Sequence, residues 1–235
     1  AAHYADVHRA RMSGEVAAAL RPAGAVRHML APDRAAILAI AAETGFFGEP
    51  IGAVMDSPAL FADLLYSYYV DLEPDHAWVA EEHDAVVGFL VGTADSRAMR
   101  ARWLARVVPG IVMRMLRGEY NLGPPSRRWL SEQLATAVRG EAPPVSLAVY
   151  PAHLHVNVRA GCRGRGLGRR LVSAFLAQLS AEGVHGVHLR TTSRNLAACH
   201  LYESLGFRLL GERPTRAWQD VIDVPVANRA YGLLL

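Results

Sequence analysis

Asn157-Val158-Arg159-Ala160-Gly161-Cys162-Arg163-Gly164-Arg165-Gly166-Leu167-Gly168-Arg169-Arg170-Leu171-Val172 is the stretch on which the reading of this chain turns. Before it, residues 151–158 alternate apolar and polar side chains and end on β-branched valines, which is the pattern of a strand. After it, residues 167–179 carry apolar side chains at helical spacing. The glycines therefore fall on a strand-to-helix turn. Gly164, Gly166 and Gly168 remove side chains where consecutive backbone N–H groups would point at one place, and the helix start adds the positive end of its dipole. That combination predicts a phosphate cradle. Arg163, Arg165, Arg169 and Arg170 set four positive charges beside it, so the expected guest carries at least a pyrophosphate. Taken alone, the same residues also suit a tight, solvated connection.

Two familiar phosphate loops do not match. The dinucleotide fingerprint wants Gly-x-Gly-x-x-Gly in an early βα unit with an acidic residue roughly 20 positions on. Here the spacing is Gly-x-Gly-x-Gly, late in the chain, and no acidic residue ends the next strand. The Walker loop needs a lysine, and this sequence contains none.

The stretch resembles the signature of the GNAT acetyltransferases, Arg/Gln-x-x-Gly-x-Gly/Ala after a central strand. Arg163 to Gly168 matches it in full. A second GNAT element, an Asn opening a helix that closes on Tyr-x-x-x-Gly-Phe, is met by Asn195, Tyr202, Gly206 and Phe207. The resemblance covers residues 145–235 well and 26–92 loosely. Residues 150–157 and 186–192 also look like the bacterial relatives of the acetyltransferase-like C-terminal domain of O-GlcNAcases.

The resemblance implies a mixed α/β (α+β) GNAT fold, with a central sheet of six to seven strands flanked by helices. The implied cofactor is acetyl-CoA (coenzyme A). Its pyrophosphate would rest on the amides of Gly164, Arg165, Gly166, Leu167, Gly168 and Arg169 beside Arg163. Its pantetheine arm would follow Val156, Asn157 and Val158, and its thioester would end near Tyr202. Asn195 is implied as a further contact, though the plain role of a helix cap explains it equally. The implied reaction is acetyl transfer to an amine by direct attack on the thioester. Tyr202 is the expected acid for the leaving thiolate, and a backbone N–H of Val156 or Val158 is the expected donor to the carbonyl. The other reading is a catalytically silent acyl-CoA-binding or interaction domain of the same fold.

A general base is harder to find. Many GNAT enzymes place a Glu on or beside the central strand, yet no carboxylate lies between Pro143 and Cys162. By alternation His153, His155 and Asn157 share one face of that strand. His155 is the first choice as base because its ordinary pKa suits a proton acceptor near neutrality. Asp95, Asp71 and Glu73 are the alternatives. Tyr66, Tyr68 and Tyr69 would line the acceptor pocket or fill core. Cys162 invites a reactive-thiol reading, since a helix start and arginines lower a thiol pKa, but no paired His and Asp supports nucleophilic catalysis.

The remaining chain is read around this centre. Residues 1–24, rich in Ala and Arg, are expected to form an arm. Met12-Ser13-Gly14 reads as a natural start. Residues 25–235 are expected to form one domain. Residues 26–30 predict a strand, and residues 32–42 a helix ending at Gly45. A second helix runs from Pro58 to about Val70. Residues 77–81 and 86–91 predict a hairpin. Residues 96–140 read as a helical insertion broken at Pro109-Gly110. Residues 145–158 form the long central strand, and 227–235 close the sheet.

An apolar fraction of 51% is ample for a core, and a formal charge of +3 without long charge runs implies neither nucleic acid nor membrane binding. Two cysteines without metal-ligand spacing suit a reducing cytoplasm and predict no metal. The last strand and the insertion offer surfaces for a homodimer. The acceptor amine lies beyond what the sequence specifies.

Overall fold

The computed structural model describes residues 24–235, so the arm expected over 1–24 lies, apart from Gly24, outside the described residues. β1 (Ala25–His28) leads through a turn opened by Pro32 into α1 (Arg34–Thr44), whose Ile37, Ile40 and Ala41 are fully buried. Ser57 caps α2 (Pro58–Leu65), its side chain accepting from the Leu60 amide, and Pro58 takes the first turn, where its missing N–H costs nothing. The second helix expected through Val70 is interrupted at Tyr66 and resumes as α3 (Ser67–Leu72).

β2 (Ala77–Glu82) and β3 (Ala85–Thr93) form the expected hairpin. His83 and Asp84 both adopt positive φ (51° and 60°), the turn that matches the twist of a two-residue connection. The insertion follows as α4 (Ser96–Arg102), a π turn over Trp103–Val107, α5 (Val108–Leu116) and α6 (Pro124–Val138). The break expected at Pro109-Gly110 does not occur. Pro109 sits in the first turn of α5, and the wider π turn ahead of it carries the helical path past the missing N–H. The insertion is anchored to α2: Trp103 donates to the Leu64 carbonyl at 3.0 Å, Tyr120 to Asp63 at 2.8 Å, and Arg114 pairs with Asp63.

The central strand, β4 (Ala152–Val158), is shorter than expected. Residues before it, bounded by Pro143-Pro144 and Pro151, turn back on themselves, with the Val149 and Tyr150 amides both bonded to the Ser146 carbonyl. The cradle then leads into α7 (Leu167–Ala181). β5 (Gly186–Thr192), α8 (Leu196–Ser204), β6 (Arg208–Thr215) and β7 (Val226–Leu234) complete the chain.

The seven strands run in the order β1-β2-β3-β4-β5-β7-β6, with β4 and β5 the parallel pair. β7 does not close the edge as expected but enters between β5 and β6. Its buried Ala230 and Tyr231 fit the interior position, while β6, mostly exposed, takes the rim. Each face of the sheet carries its own apolar core. One joins α1, α2, α3 and the insertion; the other joins α7 and α8. No helix among the described residues is long and apolar enough to cross a membrane.

Candidate active site

β4 and β5 pair only at Ala152–Val187 and His153–His188. β4 stays bonded to β3 as far as Val158, and β5 to β7 as far as Thr192, so each strand is held from outside while a gap opens between them. From Leu154 onward the inner edge of β4 therefore has no strand beside it, and its backbone groups face a cleft. Alternation sends Leu154, Val156 and Val158 toward α7 and α8, and His153, His155 and Asn157 toward α1 and α3.

The cleft holds about 570 Å³ between the starts of α7 and α8, with Val156, Val158, Gly166, Arg169 and Asn195 among its walls. The first hydrogen bond of α7 runs from the Arg170 amide to the Gly166 carbonyl at 3.1 Å. The amides of residues 164–169 thus have no acceptor among the described residues. Gly166 precedes the helix at φ 79°, a left-handed conformation that glycine adopts without strain, and a Cβ added there would meet no atom of the described residues within 4 Å. A Cβ on Gly168 would instead lie 3.2 Å from Leu201, so that glycine serves the approach of α7 to α8.

The four arginines divide. Arg163 and Arg169 line the cleft; Arg163 also bonds the Val158 carbonyl at 2.9 Å, and Arg169 the Ser204 hydroxyl at 2.7 Å. Arg165 is drawn to Glu82 at 2.8 Å and to the Gly161 carbonyl, outside the lining, and Arg170 is not among the walls either. Arg194, which the motif reading missed, lines the cleft just before Asn195. Asn195 caps α8, accepting from the Ala198 amide at 3.3 Å, and also borders the cleft.

Tyr202, two turns into α8, is 5% exposed, with its ring against Phe207 and Tyr231. Burial raises its pKa above the ordinary phenol value, so it keeps its proton. It borders both the cleft and a second cavity of about 190 Å³, whose walls include Tyr66, His155, Arg190 and Trp218. Trp218, from the β6–β7 loop, meets Phe47 edge-on at 4.9 Å, and both line this cavity, a pairing that no local pattern of residues announces. Neither cavity takes a wall from the insertion.

His155 lies between the rings of Tyr66 and Tyr69, at 5.7 and 5.6 Å. Burial, with help from His188 and Arg190, lowers its pKa to about 4, so it is neutral at pH 7 but a weak base. Asn157 is tied to Thr44 at 2.7 Å while lining both cavities. The alternative acids do other work. Asp95 caps α4, Asp71 pairs with Arg34, and Glu73 accepts from Tyr68 and Thr93 and binds His76. Cys162 borders the cleft, but its thiol pKa is raised, first by burial and then by Glu82, against the lowering expected from the helix start and arginines. Among the described residues no group of His, Cys, Asp and Glu is placed to hold a metal ion.

Comparison with known proteins agrees with this fold. Residues 140–207 match the model of the Acetyltransferase (GNAT) family. The chain is 32% identical over 79 residues to N-acetyltransferase 8B of Homo sapiens, covering 34% of this chain and 35% of that protein. It is 37% identical over 59 residues to the L-methionine sulfoximine/L-methionine sulfone acetyltransferase of Pseudomonas aeruginosa, covering 25% and 34%. These matches span about a third of the length of the curated relatives. Among solved structures, SsHAT is 30% identical, with 91% of this chain and 98% of that one covered and a TM-score of 0.70. The structure of yncA from Salmonella typhimurium, a putative acetyltransferase with its cofactor acetyl-CoA, shares the fold at 18% identity and a TM-score of 0.56, with 91% and 95% covered.

Proposed function

As the chain belongs to the GNAT acetyltransferase family, we propose that it is an N-acetyltransferase that takes its acetyl group from acetyl-CoA, the cofactor of that family. The cradle fits such a ligand: among the described residues six amides lack acceptors and nothing stands close to a Cβ at Gly166, while Arg163, Arg169 and Arg194 stand around it. These groups would hold the pyrophosphate, and the open edge of β4 at Val156 and Val158 would hold the pantetheine amides. When bound, acetyl-CoA supplies an acetyl carbon already activated as a thioester.

The residues divide the remaining work. A backbone N–H on the free edge of β4 polarises the thioester carbonyl. The acceptor nitrogen, entering from the smaller cavity, forms the new C–N bond as the C–S bond breaks. Tyr202 gives the departing thiolate its proton and regains one from the solvent, which also takes the proton that the nitrogen sheds as the amide forms. With His155 a weak base, the acceptor loses its proton to water before it attacks.

The observation that carries this reading is that the two cavities meet at Tyr202, one leading to the amide row and the other to the histidine face of β4. The test follows free thiol from acetyl-CoA with a panel of amines. Acceptor-dependent release that falls by about a hundredfold in Tyr202→Phe supports it, as expected for the loss of a general acid.

A second reading is favoured by the lack of a proton acceptor: among the described residues no carboxylate lines the smaller cavity, and His155 is a weak base. It is an acyl-CoA-binding domain without turnover, in keeping with the likeness to bacterial relatives of the O-GlcNAcase C-terminal domain. Tight CoA binding with no acceptor-dependent release would favour it.

A further inference from the structure

β5 sends Val187 and Leu189 into the core beneath α7 and α8, so His188, Arg190 and Thr192 face the same side of the sheet as His153 and His155. Arg190 reaches the wall of the smaller cavity. Among the described residues its guanidinium has no carboxylate partner, and its hydrogen bond, to the Pro143 carbonyl, is long at 3.4 Å.

Among the described residues no Asp or Glu lines the cavity. Of the acids on neighbouring elements, Glu73 is held by Tyr68, Thr93 and His76, Asp95 by two amides of α4, and Glu141 by Arg139, Thr215 and the Arg216 amide. His153, His155 and His188 are held below their ordinary pKa by burial, and Arg100 lies near enough to act on Arg190. A simple ammonium group would thus enter beside a solvent-facing cation that no carboxylate pairs with among the described residues. A molecule that carries its own anion would instead meet a planar fork of donors.

We propose that the acceptor is a small amine bearing a carboxylate, of the amino acid class, and that Arg190 binds that carboxylate while Trp218 and Phe47 cover the rest. The cavity of about 190 Å³ suits an acceptor whose amine and carboxylate lie only a few bonds apart. This assignment rests on the acetyl-transfer reading.

The test is calorimetric titration of the CoA-loaded protein with the standard amino acids, each paired with its carboxamide, followed by kcat/KM on those that bind. At least one amino acid is expected to exceed its carboxamide by about tenfold or more, the usual yield of a charge-assisted pair. Arg190→Gln should bring that ratio near one while leaving CoA affinity and the melting temperature unchanged. Arg190→Lys should restore part of it. Carboxamides that bind as well as the acids, a panel with no binder, or a ratio that survives Arg190→Gln would overturn the proposal. The wild-type comparison decides even where a variant does not fold. Should CoA itself fail to bind, that result counts against acetyl transfer, and the paired titration of the unloaded protein still decides the role of Arg190.

Discussion

Tyr69 and His153 share a 2.6 Å hydrogen bond between the phenol oxygen and Nε2. The other ring nitrogen lies 2.7 Å from the Ser96 hydroxyl, which donates its single proton to the Pro151 carbonyl at 2.5 Å. Ser96 must therefore accept from Nδ1–H, which leaves Nε2 to accept from Tyr69. His153 is thus spent on joining β4, α3 and α4. Tyr69→Phe would leave a buried acceptor unmet and should cost about 1–3 kcal/mol in urea denaturation, with CoA affinity preserved.

His155, two residues on, should give a different signature. With its pKa held near 4 by burial, it does not titrate between pH 5 and 9. The pH profile of kcat/KM should therefore rise with the free fraction of the acceptor amine and show no inflection near 6.5. An inflection at pH 6–7 that vanished in His155→Gln would mean that His155 is the base after all.

His76 links the start of β2 to α7, with Nδ1 2.8 Å from Glu73 and Nε2 2.9 Å from Glu182. The Glu73 hydrogen bond is the main cause of a pKa raised from 6.5 to about 9. A folded-state pKa above the unfolded value stabilises fully below pH 6.5 and is lost as pH rises through about 9. The urea midpoint should fall across that window. After allowance for the solvated Glu182 the loss should be roughly 1–2 kcal/mol, and His76→Asn should flatten the curve.

The cradle makes a separable expectation. Gly166→Ala forces a side chain into the left-handed region at a cost of about 1–2 kcal/mol, or a melting temperature lower by roughly 2–8 °C. Its Cβ would meet no atom of the described residues within 4 Å but would stand in the cradle proposed for the pyrophosphate. Acetyl-CoA affinity, by calorimetry, should drop by at least about tenfold. An unchanged affinity would remove the amide row from the binding site.

The elements that local chemistry dictates were legible in the chain: the glycine turn, the Asn195 cap, the hairpin and the alternation that puts His153, His155 and Asn157 on one face. What depends on distant partners was not. In the glycine turn Arg165 is indistinguishable from its neighbours by sequence, and it is Glu82, at the end of β2, that draws it away; Arg194 gains its place only from the meeting of α7 and α8. The burial that weakens His155 as a base comes from Tyr66 and Tyr69, far away in the sequence. The shortened β4 could be foreseen only in part, since its prolines mark the interruption but not where the chain goes.

Trp218 and Phe47 are contributed by loops at opposite ends of the chain, and neither loop carries the glycine turn. Exchanging residues in the β6–β7 loop should thus retune which molecules are accepted while leaving the grip on the acyl carrier intact. Diversification of substrate choice within this architecture can then proceed through a rim that carries none of the amide row.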